Sequence, residues 1–151
     1  LPEQVDSVIC ALDSLNYVTR PADVQKTFRR VHDALTPGGL FLFDINTPYK
    51  LEGLAGQTFL DETEDTYCVW RTEFDPKKRL CYYGMDLFQR DGEVWERSFE
   101  EHIEYAYTAE ELTGWLREAG FAKIDVFGDR KCRAPKEDEL RVYLAARKET
   151  T

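Results

Sequence analysis

Leu35-Thr36-Pro37-Gly38-Gly39-Leu40-Phe41-Leu42-Phe43-Asp44-Ile45 closes one element and opens another. Upstream of it, Val24, Phe28, Val31 and Leu35 recur at helical spacing, with Lys26, Arg29, Arg30 and Asp33 between them. That pattern predicts an amphipathic helix of about four turns with Pro21 at its first position. Thr36-Pro37-Gly38-Gly39 is a stop for such a helix. The apolar run Leu40 to Ile45 then reads as a strand. Further upstream, Val5 to Leu12 (V-D-S-V-I-C-A-L) is short, β-branched at its start and nearly continuous in apolar character. Such a run suits a parallel strand covered on both faces. Strand, helix and strand make a crossover unit with an expected right-handed sense, so the chain reads as α/β.

Downstream the pattern changes. Pro48 to Gly56 reads as a short helix or turn. Thr66 to Phe74, Leu80 to Arg90 and Glu93 to Tyr105 read as three antiparallel strands. Asp75-Pro76-Lys77-Lys78 turns the first pair, and Asp91-Gly92 is a two-residue hairpin signal. If Arg90 opposes Glu93, then Phe88 opposes Trp95 and Asp86 opposes Arg97, an aromatic pair and an ion pair. This register places Trp70, Phe74, Tyr82, Phe88, Trp95 and Phe99 on one face. Tyr67, Val69, Tyr83, Met85, Leu87 and Val94 fall on the other. One face can pack on the domain, and the second then needs a substrate, a lid position or another chain. Thr108, with Glu111 three residues on, predicts a capping box. Leu112, Trp115, Leu116 and Ala119 form the buried stripe of that helix, and Gly120 ends it. Phe121 to Phe127 and Leu140 to Ala146 complete the strands.

Composition narrows the function. The net charge of -9 disfavours nucleic acid as the main partner and an anionic membrane surface. Cys10, Cys68, Cys81 and Cys132 contain no C-x-x-C pair, and there are two histidines, so no zinc site is expected. Free thiols suit a reducing compartment, and the cytoplasm is the expected location. No apolar run approaches the roughly 20 residues that span a bilayer. Leu1-Pro2-Glu3-Gln4 does not read as a signal peptide, and the lack of an initiator Met hints that the chain was cut or processed.

Two segments carry a family resemblance. One is the strand, loop and helix ending in L-T-P-G-G and the strand after it. The other is Tyr107-Thr108-Ala109-Glu110-Glu111-Leu112 leading to Leu116-Arg117-Glu118-Ala119-Gly120-Phe121. In this order and spacing they resemble the C-terminal part of class I S-adenosylmethionine (SAM) dependent methyltransferases, over nearly the whole chain. The antiparallel strands, and Phe43-Asp44-Ile45-Asn46-Thr47-Pro48, are similar to the small bacterial members with a three-stranded insertion before the last helix. The resemblance implies a partial Rossmann-like sheet, strands four to seven, in which residues 1–151 form one C-terminal part and 57–106 the insertion. It also implies that the family's glycine-rich SAM loop and its ribose-binding acid lie outside this stretch, which has no G-x-G-x-G.

By the same resemblance, Cys10, Ala11, Leu12 and Asp13 would lie beside the methionine part of SAM. Ser14, Asn16 and Tyr17 follow in the same loop as substrate-side candidates. Asp44 and Asn46 end the next strand, and Tyr49 follows them. Trp70 and Tyr82 are the insertion's candidates for flat contacts. His102 and Tyr105 are its only general-base candidates. The expected function is methyl transfer to a small-molecule acceptor, with this chain supplying mainly the substrate side and binding SAM weakly or not at all alone. The competing expectation is a non-catalytic domain that self-associates, or binds a protein, through the open edge of Val5 to Leu12.

Overall fold

In the computed structural model, which describes residues 3–150, the chain forms two four-stranded sheets. The first is built from β1 (Val5–Cys10), β2 (Leu35–Asn46), β7 (Phe121–Gly128) and β8 (Arg141–Lys148), in the order β1-β2-β8-β7. β1 and β2 are parallel, while β8 runs antiparallel to both its neighbours. Helices α1 (Pro21–Ala34) and α3 (Ala109–Glu118) pack on it. No helix of the described residues is long and apolar enough to cross a membrane.

The L-T-P-G-G segment does more than stop α1. Val5 pairs with Leu35 and Ser7 with Leu40, so Thr36 to Gly39 loop out of the ladder near the start of β2. Gly38 takes φ +78°, a left-handed conformation that favours glycine, and its N–H donates to the Glu149 carbonyl at 2.9 Å. Gly39 is needed for a different reason: a Cβ there would stand 2.9 Å from the Thr36 carbonyl oxygen. The carbonyls left open at the end of α1 are met by Lys148, whose Nζ donates to the His32 and Leu35 oxygens at 2.8 Å.

The helical stripe read from the sequence faces the sheet. Val24 and Phe28 are fully buried, and Phe28 meets Phe41 and Phe43 with ring centroids 5.9 and 5.5 Å apart. Leu112 and Leu116 of α3 close the same core, and the Thr108–Glu111 capping box is present. Only one face of this sheet is covered by described residues. Ile9 is 69 % exposed, and with Leu42, Phe127, Tyr143 and Ala145 it borders a shallow groove of about 200 Å³ on the other face. Among the described residues β1 is thus covered on one face, because both helices lie on the opposite side.

The second sheet has the order β3 (Thr58–Glu62), β4 (Thr66–Asp75), β5 (Leu80–Asp91), β6 (Val94–Tyr105), all antiparallel. It has four strands rather than the expected three. β3 is a five-residue edge strand, exposed along its length, and T-F-L-D-E gives little periodic signal. Its link to the first sheet is α2 (Pro48–Gly53), which the Thr47 hydroxyl caps.

The expected hairpin register is off by two residues. Asp91 opposes Val94, Arg90 opposes Trp95 and Asp86 opposes Phe99. The central residues are thus Gly92 and Glu93, not Asp91 and Gly92. Gly92 has φ +61° and Glu93 is not left-handed, the pattern of a type II′ turn with glycine first. A slip of two keeps every side chain on its face, so Asp86 and Arg97 still pair, but diagonally. The β4–β5 hairpin departs further. Four residues, 76–79, form its loop, and even positions on β4 oppose odd positions on β5. Trp70 and Phe74 therefore share a face with Tyr83 and Met85, and Tyr82 lies on the opposite one.

Candidate functional site

The inner face of the second sheet and the carboxyl end of the first enclose a cleft of about 620 Å³. Its floor comes from the ends of the core strands: Asp13 after β1, Asn46 at the end of β2 and Arg141 at the start of β8. Lys50 of α2 adds a cation. Its walls are Phe59, Trp70, Tyr83 and Met85 from the second sheet and Tyr17 from the loop after β1. Period-two alternation along β6 brings Glu100, His102 and Glu104 to the same inner face.

The loop after β1 is held by a polar lock. Leu12 and Asp13 both take positive φ, 59° and 51°, which costs non-glycine residues energy. Their N–H groups both donate to the Asp44 carboxylate, at 2.8 and 3.0 Å. Arg141 closes the lock, donating to Asp44 and to Asp13 Oδ1 at 2.7 Å. Asp44 is buried, so three donors compensate the charge it carries out of water.

Asn16 is fully buried and structural. Its Nδ2 donates to the carbonyls of Asn46 and Tyr105, both at 3.0 Å, and its Oδ1 accepts from the Asn46 N–H at 3.0 Å. One side chain thus stitches the β1 loop to the ends of β2 and β6. Asn46 continues the network into the cleft. Its Nδ2 donates to Glu104 Oε2 at 2.8 Å, and its Oδ1 accepts from Lys50 Nζ at 2.8 Å.

Glu104 is 3 % exposed, and burial pushes its carboxyl above the usual carboxylate range, against the Asn46 hydrogen bond that favours the charged form. Burial likewise raises the Tyr83 and Tyr17 phenols, and the carboxylate of Glu104 adds to both. The Cys10 thiol is raised by burial and then by Asp44, so it is a poor nucleophile. The indole N–H of Trp70 is buried with no partner among the described residues.

The residues anticipated from the sequence divide into three groups. Asp13, Tyr17, Asn46, Trp70 and His102 line the cleft, with Tyr17 and His102 edge to face at 5.8 Å between centroids. Ser14, Asn16 and Asp44 shape its floor from behind: the Ser14 hydroxyl donates to the Ala11 carbonyl at 2.7 Å. Cys10 and Ala11 instead border the groove on the open face of the first sheet, and Leu12 is 78 % exposed. Tyr49 points to solvent, and Tyr82 borders a separate outer groove with Arg71 and Phe99. Tyr105 stacks on Tyr107 at 4.4 Å and lies under the Arg79 guanidinium at 5.1 Å, away from the cleft.

Lys50, which follows Tyr49 as a weaker candidate in the sequence, also lines the cleft, and Glu104, Glu100, Asp61 and Arg141 line it without having been expected. The two-residue spacing of Glu100, His102 and Glu104 was the available signal, since it puts them on one face of any strand that contains them. Nothing local marks Arg141, which reaches Asp13 across 128 positions of sequence.

No protein-family model matches the chain. The chain is 31 % identical over 149 residues to the presumed methyltransferase YqeM of Bacillus subtilis (strain 168), covering 98 % of this chain and 60 % of that protein. A presumed methyltransferase of Geobacillus sp. (strain WCH70) is 30 % identical over 145 residues, with 95 % and 59 % covered. The crystal structure of a SAM-dependent methyltransferase from Clostridium acetobutylicum ATCC 824 superposes with a TM-score of 0.89 at 29 % identity, covering 99 % of this chain and 60 % of that one. The likeness to class I SAM-dependent methyltransferases therefore holds in both sequence and fold, and this chain spans about 60 % of their length.

Proposed function

We propose that the whole protein to which this chain belongs transfers a methyl group from SAM to a small-molecule acceptor, and that this chain supplies mainly the acceptor side. The cleft carries this reading. It lies against the carboxyl ends of β1 and β2, where open α/β sheets hold ligands, and the second sheet walls it with aromatic rings. SAM, when bound, supplies a methyl group on a sulfonium that is already a good leaving group. The task left to these residues is to hold and orient the acceptor. Tyr17, Trp70 and Tyr83 would grip its flat or apolar body, and Asn46 and His102 would meet its polar atoms. Asn16, Asp44 and Arg141 act one step back, as positioning residues for the loop that carries Asp13.

The fit to SAM is one-sided. Cys10, Ala11 and Leu12 offer an apolar wall for its methionine part. The N–H groups of Leu12 and Asp13 are already committed to Asp44, and the Asp13 carboxylate to Arg141. These 151 residues include no glycine-rich turn of the G-x-G-x-G kind. Binding by this chain alone is accordingly expected to be weak or absent. Four free cysteines are in keeping with the cytoplasm.

Calorimetric titration with S-adenosylhomocysteine tests the reading. No saturable heat is expected for this chain. Saturable binding, and transfer of a labelled methyl group from SAM, are expected for a protein that also carries the remaining part of its relatives' length. Tight binding by this chain alone, or none by the extended protein, would overturn it.

A separate observation supports self-association of this chain. β1 ends its sheet with an unpaired backbone edge among the described residues, and Ile9 beside it is exposed. Light scattering is expected to report a dimer or larger species, and a monomer at high concentration would overturn that expectation.

A further inference from the structure

Glu104 is the most deeply buried charge lining the cleft. It lies at the inner end of β6 and is 3 % exposed, yet it borders the open cavity. A carboxylate offers about four acceptor positions. Among the described residues Glu104 receives a hydrogen bond from Asn46 Nδ2 at 2.8 Å, and the Tyr83 hydroxyl also bears on it. Lys50 is near but is turned to Asn46 Oδ1. That leaves about two acceptor positions for a donor arriving from the cavity, and a buried carboxylate gains from filling them.

The rest of the lining is consistent in sign. Asp13, Asp61, Glu100 and Glu104 face the cleft against Lys50 and Arg141. Arg141 is already consumed by Asp13 and Asp44. The cavity thus presents an excess of negative charge together with aromatic faces along the walls. Aromatic faces attract cations, and strongly so where water is excluded. An anionic ligand would meet four carboxylates, with Lys50 the one lining cation not already paired with a carboxylate among the described residues.

We propose that the cleft takes a small molecule carrying a basic amine, with the ammonium seated on Glu104 and the body of the molecule against Trp70, Tyr83 and Tyr17. This rests on the reading of the cleft as the acceptor site. It also gives Glu104 a part in preparing the acceptor. An ammonium has no lone pair, so one N–H bond must break, its proton passing to a Glu104 oxygen, before the nitrogen can act as a nucleophile.

Three probes that share one phenyl ring test this: 2-phenylethylamine, 2-phenylethanol and phenylacetate. Each is titrated into this chain and followed by NMR shift changes of cleft residues. The ammonium is expected to bind about tenfold more tightly than the alcohol, as one charge-assisted hydrogen bond gives, and phenylacetate least of all. Glu104→Gln should erase that preference. Glu101→Gln, three residues back on the strand and on the outer face, should leave it intact. Alcohol or carboxylate binding as well as the amine, amine preference surviving in E104Q, or no binding of any probe to millimolar concentration would each overturn the proposal. The readout needs no SAM. Amine selectivity in a protein that transfers no methyl group would sink the methyl-transfer reading and support this one.

Discussion

The two sheets of this chain are built to different ends. The first carries helices on one face and a continuous core, in which Val24, Phe28, Leu35, Ile45 and Leu112 are wholly excluded from water. The second has three long antiparallel strands, a short edge strand and a small buried cluster of Leu51, Cys81, Tyr83 and Ala106. Its outer face leaves Trp95 and Phe99 about half exposed. Its inner face is only partly buried, because it walls the cleft. Stability is thus concentrated in the first sheet, and the second spends apolar surface on shape. A sheet with one face open to a cavity keeps aromatic residues available to a ligand, at the expense of core.

The largest expected effect tests that division directly. Phe28→Ala removes a ring packed against Phe41 and Phe43 and should cost about 3–5 kcal/mol in denaturant unfolding. Phe99→Ala removes a ring that is 58 % exposed, so its cost should stay under about 1 kcal/mol. Equal losses from the two would break the comparison and make the second sheet a core in its own right.

Next in size is the lock between the sheets' shared floor and the β1 loop. Arg141→Met leaves the buried Asp44 and the Asp13 carboxylate without their cation. Breaking a buried pair on one side costs about 3 kcal/mol, mostly as uncompensated charge. The double variant with Asp44→Asn should recover part of that loss, though the Leu12–Asp13 turn would be held less firmly. Full additivity of the two changes would show that they do not act as a unit.

How much of this could be read beforehand depended on what kind of signal each part leaves. The first sheet was legible because its signals are local and redundant. Val24, Phe28 and Val31 mark a helical face, Pro21 and Gly38-Gly39 bound it, and Thr108 with Glu111 announces α3. The second sheet depends on turns, and turn type decides register. Asp91-Gly92 is a strong dipeptide for a type I′ turn, yet the chain uses Gly92-Glu93 instead, and the four-residue loop before Leu80 inverted the parity of β5. Tyr82 went to the wrong face for that reason alone. In the site, cleft-lining residues on loops near the strand ends were found, since topology puts them there. Glu104 and Arg141 were missed because what they do depends on partners 58 and 97 positions away.

A third prediction concerns the joint between β6 and α3. Arg79 grips both oxygens of Glu111 at 2.7 Å, and Thr108 donates to Glu111 from its N–H at 3.0 Å. The Arg79 guanidinium, first among these, lowers the Glu111 carboxyl from an ordinary 4.5 to about 2. A depressed folded value means the stabilisation is present above the unfolded pKa and lost as pH falls through the folded one. Glu111 should thus withdraw about 1–2 kcal/mol between pH 4.5 and 2, after allowing for its one-third exposure. Glu111→Gln should flatten that part of the stability profile. An unchanged acid limb in the variant would place the effect in other carboxylates.

The smallest effect bears on the least legible feature. If the β5–β6 turn is type II′ with Gly92 first, a side chain there is strained by the positive φ of 61°, although no neighbour lies within 4 Å of where its Cβ would stand. Gly92→Ala should then cost about 1 kcal/mol through conformation alone, while Glu93→Gly, at a position that is not left-handed, should gain nothing. In the alternative register the glycine would be the second central residue of a type I′ turn, and Asp91 would also need positive φ. Asp91→Gly would then stabilise the hairpin, because glycine relieves strain at that position. With Gly92 first, Asp91 pairs directly with Val94 in extended backbone, and Asp91→Gly should weaken the strand slightly. The sign of that one change, read from thermal unfolding, separates the two registers. With them it separates two placements of the acidic strand β6, because a slip moves Glu104 along the wall of the cleft.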